Sequence, residues 1–180
     1  MEMIVTAMAN PGTPPPPPTT MHLWFLYNLV FFCIFTWALQ YINWQWLRAY
    51  FNRITPVRFL GLFPLLLAPA LLSVAAPLPA PDSFFPQLWS FGFFGLFFAL
   101  GYWIFSTENF IDRFKSYVVQ LLVMSVALYV VFYWLIPKQF TLEPASLFSW
   151  KKVVVSLCEA YISVWMSLAC LVWGKTYLNV

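Results

Sequence analysis

Residues Ser116–Ile136 read SYVVQLLVMSVALYVVFYWLI, 21 residues without a charged side chain. A helix needs about 20 mainly apolar residues to cross the hydrocarbon core of a bilayer, so this stretch predicts a transmembrane helix. Four more long apolar runs flank it: Leu23–Trp44, Phe59–Ala76, Pro86–Phe105 and Val153–Trp173. None alternates apolar with polar residues, as the strands of an outer-membrane barrel do. The fold class expected is therefore an all-α polytopic membrane protein, a bundle of about five transmembrane helices.

Composition points the same way. Of 180 residues, 62% are hydrophobic and 8% are charged. Soluble domains carry about 25% charged residues, so too few are present to cover a water-facing surface. Aromatics reach 22%, with 20 Phe and 10 Trp. Phe suits a lipid-facing surface, and Trp and Tyr suit its two interfaces. The net charge of +3 is dispersed between apolar runs. It reads as a topology signal and not as a nucleic-acid face.

The second run contains Pro64 and Pro69. Each proline removes a backbone donor, which a membrane helix tolerates when a neighbour satisfies the freed carbonyl. A re-entrant or broken helix is the alternative reading there.

Residues 1–21 differ from the rest. Five prolines, Pro14–Pro18, predict polyproline II in an exposed loop or tail. The segment lacks the basic start and apolar core of a signal peptide. Orientation follows from Lys and Arg. Arg48, Arg53, Arg58, Arg113, Lys115 and Lys175 fall on one side, against Lys138, Lys151 and Lys152 on the other. The positive-inside rule places the first group in the cytoplasm and the start of the chain outside. The Pro77–Phe85 and Pro137–Trp150 loops then also lie outside.

Few residues are equipped for chemistry. His22 opens the first run, where it serves either as a base or hydrogen-bond donor, or as a polar anchor at a helix start. Glu159 is the acid deepest in a run. It stands seven residues past Lys152, so roughly 10 Å into a straight helix. A carboxylate at that depth faces the bundle interior or a wet cavity. Ser156, Glu159, Ser163, Ser167, Cys170 and Gly174 recur at helical steps. That face reads either as a cleft handling substrate or protons, or as close packing through small residues.

Gly92, Gly95 and Gly101 in the third run predict close helix approach. Thr36, Gln40 and Asn43 predict interhelical hydrogen bonds. Cys33, Cys158 and Cys170 all lie in apolar runs, and the spacing of the last two, roughly 18 Å along one helix, forbids a disulfide. With a single histidine, no metal site is expected. Nucleophile elbows, phosphate-binding loops, HExxH and CxxC patterns are missing.

The run His22-Leu23-Trp24-Phe25-Leu26-Tyr27 resembles the HLWFL signature in the middle of membrane acyltransferase family 3, the family of glucan biosynthesis protein C-like and polysaccharide O-acyltransferases. Phe93–Trp103, FFGLFFALGYW, resembles that family's Phe/Gly-rich helix. Trp173–Asn179, WGKTYLN, resembles the stretch before its last helices. The resemblance spans Met21 to Asn179, so residues 22–180 form a partial domain of this kind.

It implies transfer of an acetyl- or succinyl-type group from an acyl-CoA donor to a glycan hydroxyl, in a bacterial inner membrane. No cofactor is bound in such a scheme. His22, Trp24 and Tyr27 would line the acceptor path, and Glu159 the cleft. The family's catalytic histidine lies upstream of HLWFL, so His22 does not inherit that role and the catalytic residues are unassigned. The chain is then expected to work with the missing helices of a larger or split protein. Two further readings are a non-catalytic membrane protein that packs against a partner, and a transporter or channel using Glu159.

Overall fold

The computed structural model describes residues 23–43, 45, 49–50, 53–74, 81, 87–107, 109–136 and 149–178. His22, the proline-rich start, Lys138 and the two loops expected outside the membrane fall outside the described residues, Pro81, Trp150 and Ser149 excepted. The described residues form helices and turns without a strand. We number the five long helices α1 (Trp24–Leu39), α2 (Pro56–Leu72), α3 (Leu88–Ser106), α4 (Val118–Leu135) and α5 (Trp150–Tyr177). A 3-10 segment, Ile111–Tyr117, leads directly into α4.

Among the described residues, three spans are long and apolar enough to cross a membrane: Leu88–Ser106, Ile111–Leu135 and Trp150–Tyr177. Helices α1 and α2 are apolar but shorter, at 16 and 17 residues. At 1.5 Å per residue they reach about 24–26 Å, a few ångströms short of a 30 Å core. The first run was expected to stay helical to Trp44. Its helix ends at Leu39 because the chain turns there, and Asn43 Oδ1 accepts from the Gln45 amide at 3.0 Å. An Asn side chain holding the backbone two residues on stabilises a turn over a helix. Helix α2 begins earlier than expected. Thr55 Oγ accepts from the Arg58 amide, and Pro56 occupies the first turn, where its missing donor does no harm.

Helix α2 runs unbroken through both prolines, so the broken-helix alternative does not hold. Pro64 cannot donate to the carbonyl four residues back, which belongs to Leu60. Trp165 of α5 takes over that carbonyl: its Nε1 donates to Leu60 O at 3.1 Å. One turn away on α5, the Tyr161 hydroxyl donates to Gly61 O at 2.9 Å. The two rings meet edge to face, with centroids 5.1 Å apart.

Helix α5 is the hub, packed on α2, on α4 and on the 3-10 segment. Its contact stripe is Ala160, Val164, Leu168, Ala169 and Val172, all buried. Small residues at four-residue steps let neighbouring backbones approach closely. A cluster of aromatic rings closes one end of the bundle. Phe59 stacks on Phe63 at 5.0 Å and meets Phe110 and Phe114 at 5.5 and 5.7 Å. At the same end Asp112 Oδ2 pairs with Lys175 of α5 at 3.0 Å, and Oδ1 with Lys115 at 2.9 Å. Asn109 takes a left-handed conformation, φ 61°, where the chain leaves α3 for the 3-10 segment. Asn tolerates this region better than most residues. The end of α3, the end of α5 and the starts of α2 and α4 therefore share one end, which carries Arg53, Arg58, Arg113, Lys115 and Lys175.

The glycine expectation holds at two positions of three. A Cβ on Gly92 would meet the Ala70 Cβ of α2 at 3.1 Å, and one on Gly95 would meet the Phe32 ring of α1 at 3.4 Å. Gly101 faces open space.

Two outcomes follow for the purified protein. Trp165→Phe leaves the Leu60 carbonyl without its donor and lowers unfolding stability by about 1–2 kcal/mol. In a Pro64→Ala background the restored amide supplies that donor, and the same substitution costs less by about 0.5 kcal/mol or more. Equal costs in the two backgrounds refute the arrangement. Gly92→Leu should overpack the α2–α3 contact by about 1–3 kcal/mol, while Gly101→Leu leaves thermal unfolding in detergent near wild type.

Candidate functional site

Helices α1 and α3 meet mainly through rings. Trp24 lies 5.2 Å from Phe94, and Phe32 lies 5.6 Å from Phe91 and 5.5 Å from Phe98. Flat rings that meet edge to face do not tile as closely as interdigitated aliphatic side chains. A cavity of about 1010 Å³ remains between α1, α3 and the flank of α2.

The cavity is two-toned. Its body is apolar, with Phe31, Phe32 and Phe35 from α1, Phe63 and Leu66 from α2, and Phe91, Phe98 and Leu100 from α3. Its polar lining is Thr36, Gln40, Asn43 and Gln45 on the α1 side and Tyr102 and Ser106 on the α3 side. Tyr102 and Ser106 stand at the end of α3, which also carries the basic residues. Apolar walls with a few convergent polar groups are the usual make-up of a small-molecule site.

Thr36, Gln40 and Asn43 were expected to bond between helices, and among the described residues they do not do so. Thr36 Oγ donates to Phe32 O of its own helix at 2.8 Å, and Ser106 Oγ donates to Tyr102 O. Asn43 is used in the local turn, and Gln40 is exposed. The reason is geometric: a hydroxyl on a helix reaches the carbonyl four residues back without a partner helix.

The residues singled out for chemistry are not brought together. His22 lies outside the described residues. Trp24 and Tyr27 sit in the first turn of α1, half-buried, with Trp24 on Phe94 and Tyr27 on Phe31 at 5.0 Å. Neither is among the side chains lining the cavity. Glu159 is half-buried on α5, and it does not line the cavity either. The face expected around it is graded and not a cleft of one character. Ser156 is buried, Ser163, Ser167 and Gly174 are half-buried, and Cys170 is exposed. Among the described residues no cluster of His, Cys, Asp and Glu is arranged to hold a metal ion.

The cavity itself was not anticipated. Its one sequence signal is the Phe-rich, glycine-punctuated α3, whose rings and bare backbone leave space opposite α1. Comparison of the chain with known protein families, with characterised proteins and with solved structures finds no match.

The three cysteines test these surfaces. Cys33 and Cys170 are exposed and Cys158 is buried. A lipid-soluble maleimide applied to the detergent-solubilised protein should modify Cys33 and Cys170 and leave Cys158 unreacted until the bundle is unfolded. Early modification of Cys158 would place α5 wrongly.

Proposed function

We propose that the chain is the middle portion of an integral membrane O-acyltransferase, which takes part in moving an acetyl- or succinyl-type group from acyl-CoA to a glycan hydroxyl. In this reading all five helices cross the bilayer, α1 and α2 with local thinning or with help from flanking residues. The start of the chain lies outside, and the membrane is the bacterial inner membrane.

One observation carries the reading. Two of the three segments behind the family resemblance touch through Trp24 and Phe94, and the second of them, Phe93–Trp103, lines the cavity. Segments far apart in sequence that carry one resemblance and touch are expected of a shared site. The cavity, and not the Glu159 face, is then the substrate path, with its polar end at the donor side. Trp24 and Tyr27 hold the first turn of α1 in place beside it. The basic end fits a cytoplasmic location by the positive-inside rule.

A second reading has its own support. The far side of α1 is exposed at Leu23, Phe25, Leu26, Val30, Ile34 and Trp37. That side suits a helix of another chain, so a non-catalytic role beside a partner is the alternative.

Acyl transfer decides between them. Membranes from cells with and without the gene are given labelled acetyl- or succinyl-CoA, and label in glycans is counted. The proposal expects label to disappear on deletion and to return with the wild-type gene but not with His22→Ala. Unchanged labelling on deletion favours the partner role. Orientation is read separately: an epitope at the N-terminus should be digested by protease in intact spheroplasts, and a C-terminal one should be protected.

A further inference from the structure

We infer that the cavity between α1, α2 and α3 holds one hydrocarbon chain of an anionic phospholipid, with the lipid phosphate at the basic end. The inference rests on membrane insertion and goes beyond acyl transfer, which it does not require.

Three observations choose this occupant. First, the cavity is mostly apolar, walled by Phe and Leu, and turns polar at Tyr102 and Ser106, where α3 reaches the basic end. Second, its volume of about 1010 Å³ lies at the top of the range for small-molecule sites. A space of that size walled by Phe in a bilayer is filled by the surrounding apolar solvent, which is lipid tail. Third, a charge stands where a phosphate would lie. Leu66 of α2 lines the cavity, and Arg58 stands eight residues nearer the basic end on the exposed side of the same helix. Eight residues of helix place it about 12 Å along the axis. The Arg58 side chain is exposed, and a guanidinium there can extend to the interface and clasp a phosphate with two parallel hydrogen bonds. A basic pocket between membrane helices on the cytoplasmic side is a recognised setting for anionic headgroups.

The chain walls and the headgroup contact separate experimentally. Ala99 lines the cavity and is exposed, so Ala99→Trp fills it without touching the α2–α3 contact. Leu66→Trp is a second filling variant. Val123 is exposed on α4, away from the cavity, and Val123→Trp is the control. Retention of phosphatidylglycerol and phosphatidylcholine is measured by native mass spectrometry on protein in mild detergent. Alkaline extraction of membranes checks insertion independently of lipid retention.

Wild type and Val123→Trp should retain one phosphatidylglycerol, and Ala99→Trp or Leu66→Trp should bind it about tenfold more weakly or worse. Arg58→Gln should keep a lipid but lose the preference for phosphatidylglycerol over phosphatidylcholine, a preference that also falls with added salt. A phosphatidylglycerol with a photoreactive tail, bound to the unaltered protein, should crosslink to Phe35, Phe91 or Phe98. No retained lipid in wild type, equal loss in Val123→Trp, or crosslinks spread evenly over α4 and the cavity would overturn the inference. So would a preference unaltered by Arg58→Gln.

Discussion

The bundle depends on one orphaned carbonyl. Pro64 cannot donate to Leu60, and inside an apolar bundle water is not at hand to do so. A buried unpaired carbonyl costs several kcal/mol in hydrocarbon, so a neighbouring side chain has to reach it. Trp165 does, and Tyr161 reaches the adjacent Gly61 carbonyl from one turn away. These two bonds set both the register and the rotation of α5 against α2. Once α5 is oriented, its stripe of Ala and Val determines where α4 and the 3-10 segment pack. The ion pairs of Asp112 then tie the end of α5 to the chain leaving α3. A proline that looks like a defect in α2 is thus the feature that specifies its partner.

The contrast with α1 is instructive. It meets α3 mainly through ring contacts, and those contacts have no fixed register. Dispersion between aromatic rings is favourable over a range of angles. A helix held this way settles at the distance its largest rings allow, and the space left over becomes the cavity. Gly95 shapes it further, since the bare backbone lets Phe32 lie across α3 without filling the region below. The rigid half of the molecule and the half that offers room for a ligand therefore arise from different physics. Directed hydrogen bonds build the first, and undirected ring packing builds the second.

Much of this architecture could be read from the residues, though unevenly. Runs without charge announced the helices, because ionised side chains are too costly in hydrocarbon to be scattered through them. That the prolines of α2 would need outside donors also followed, but not that Trp165 and Tyr161 would be those donors, since Trp and Tyr read equally well as interface anchors. Thr36, Gln40 and Asn43 misled for a related reason. Their polarity calls for partners, and the pattern cannot tell a bond to the next helix from one to the same backbone. The Ser156–Gly174 face of α5 was legible as a face. Its surroundings were not, since helical spacing gives an angle around one axis and no information about what stands opposite.

What the sequence determined by itself is that the chain is apolar and folds into helices. An apolar chain with few charges has to pair its backbone groups within each segment, and helices do that without knowing their neighbours. The tertiary structure alone decided which helix supplies the donor for Leu60, which glycines meet a neighbour, and that α1 and α3 stand apart around an open volume. Those outcomes depend on distances between residues about 100 positions apart, as Leu60 and Trp165 are. No local pattern encodes such a distance, because it is set by the simultaneous packing of every helix against the others.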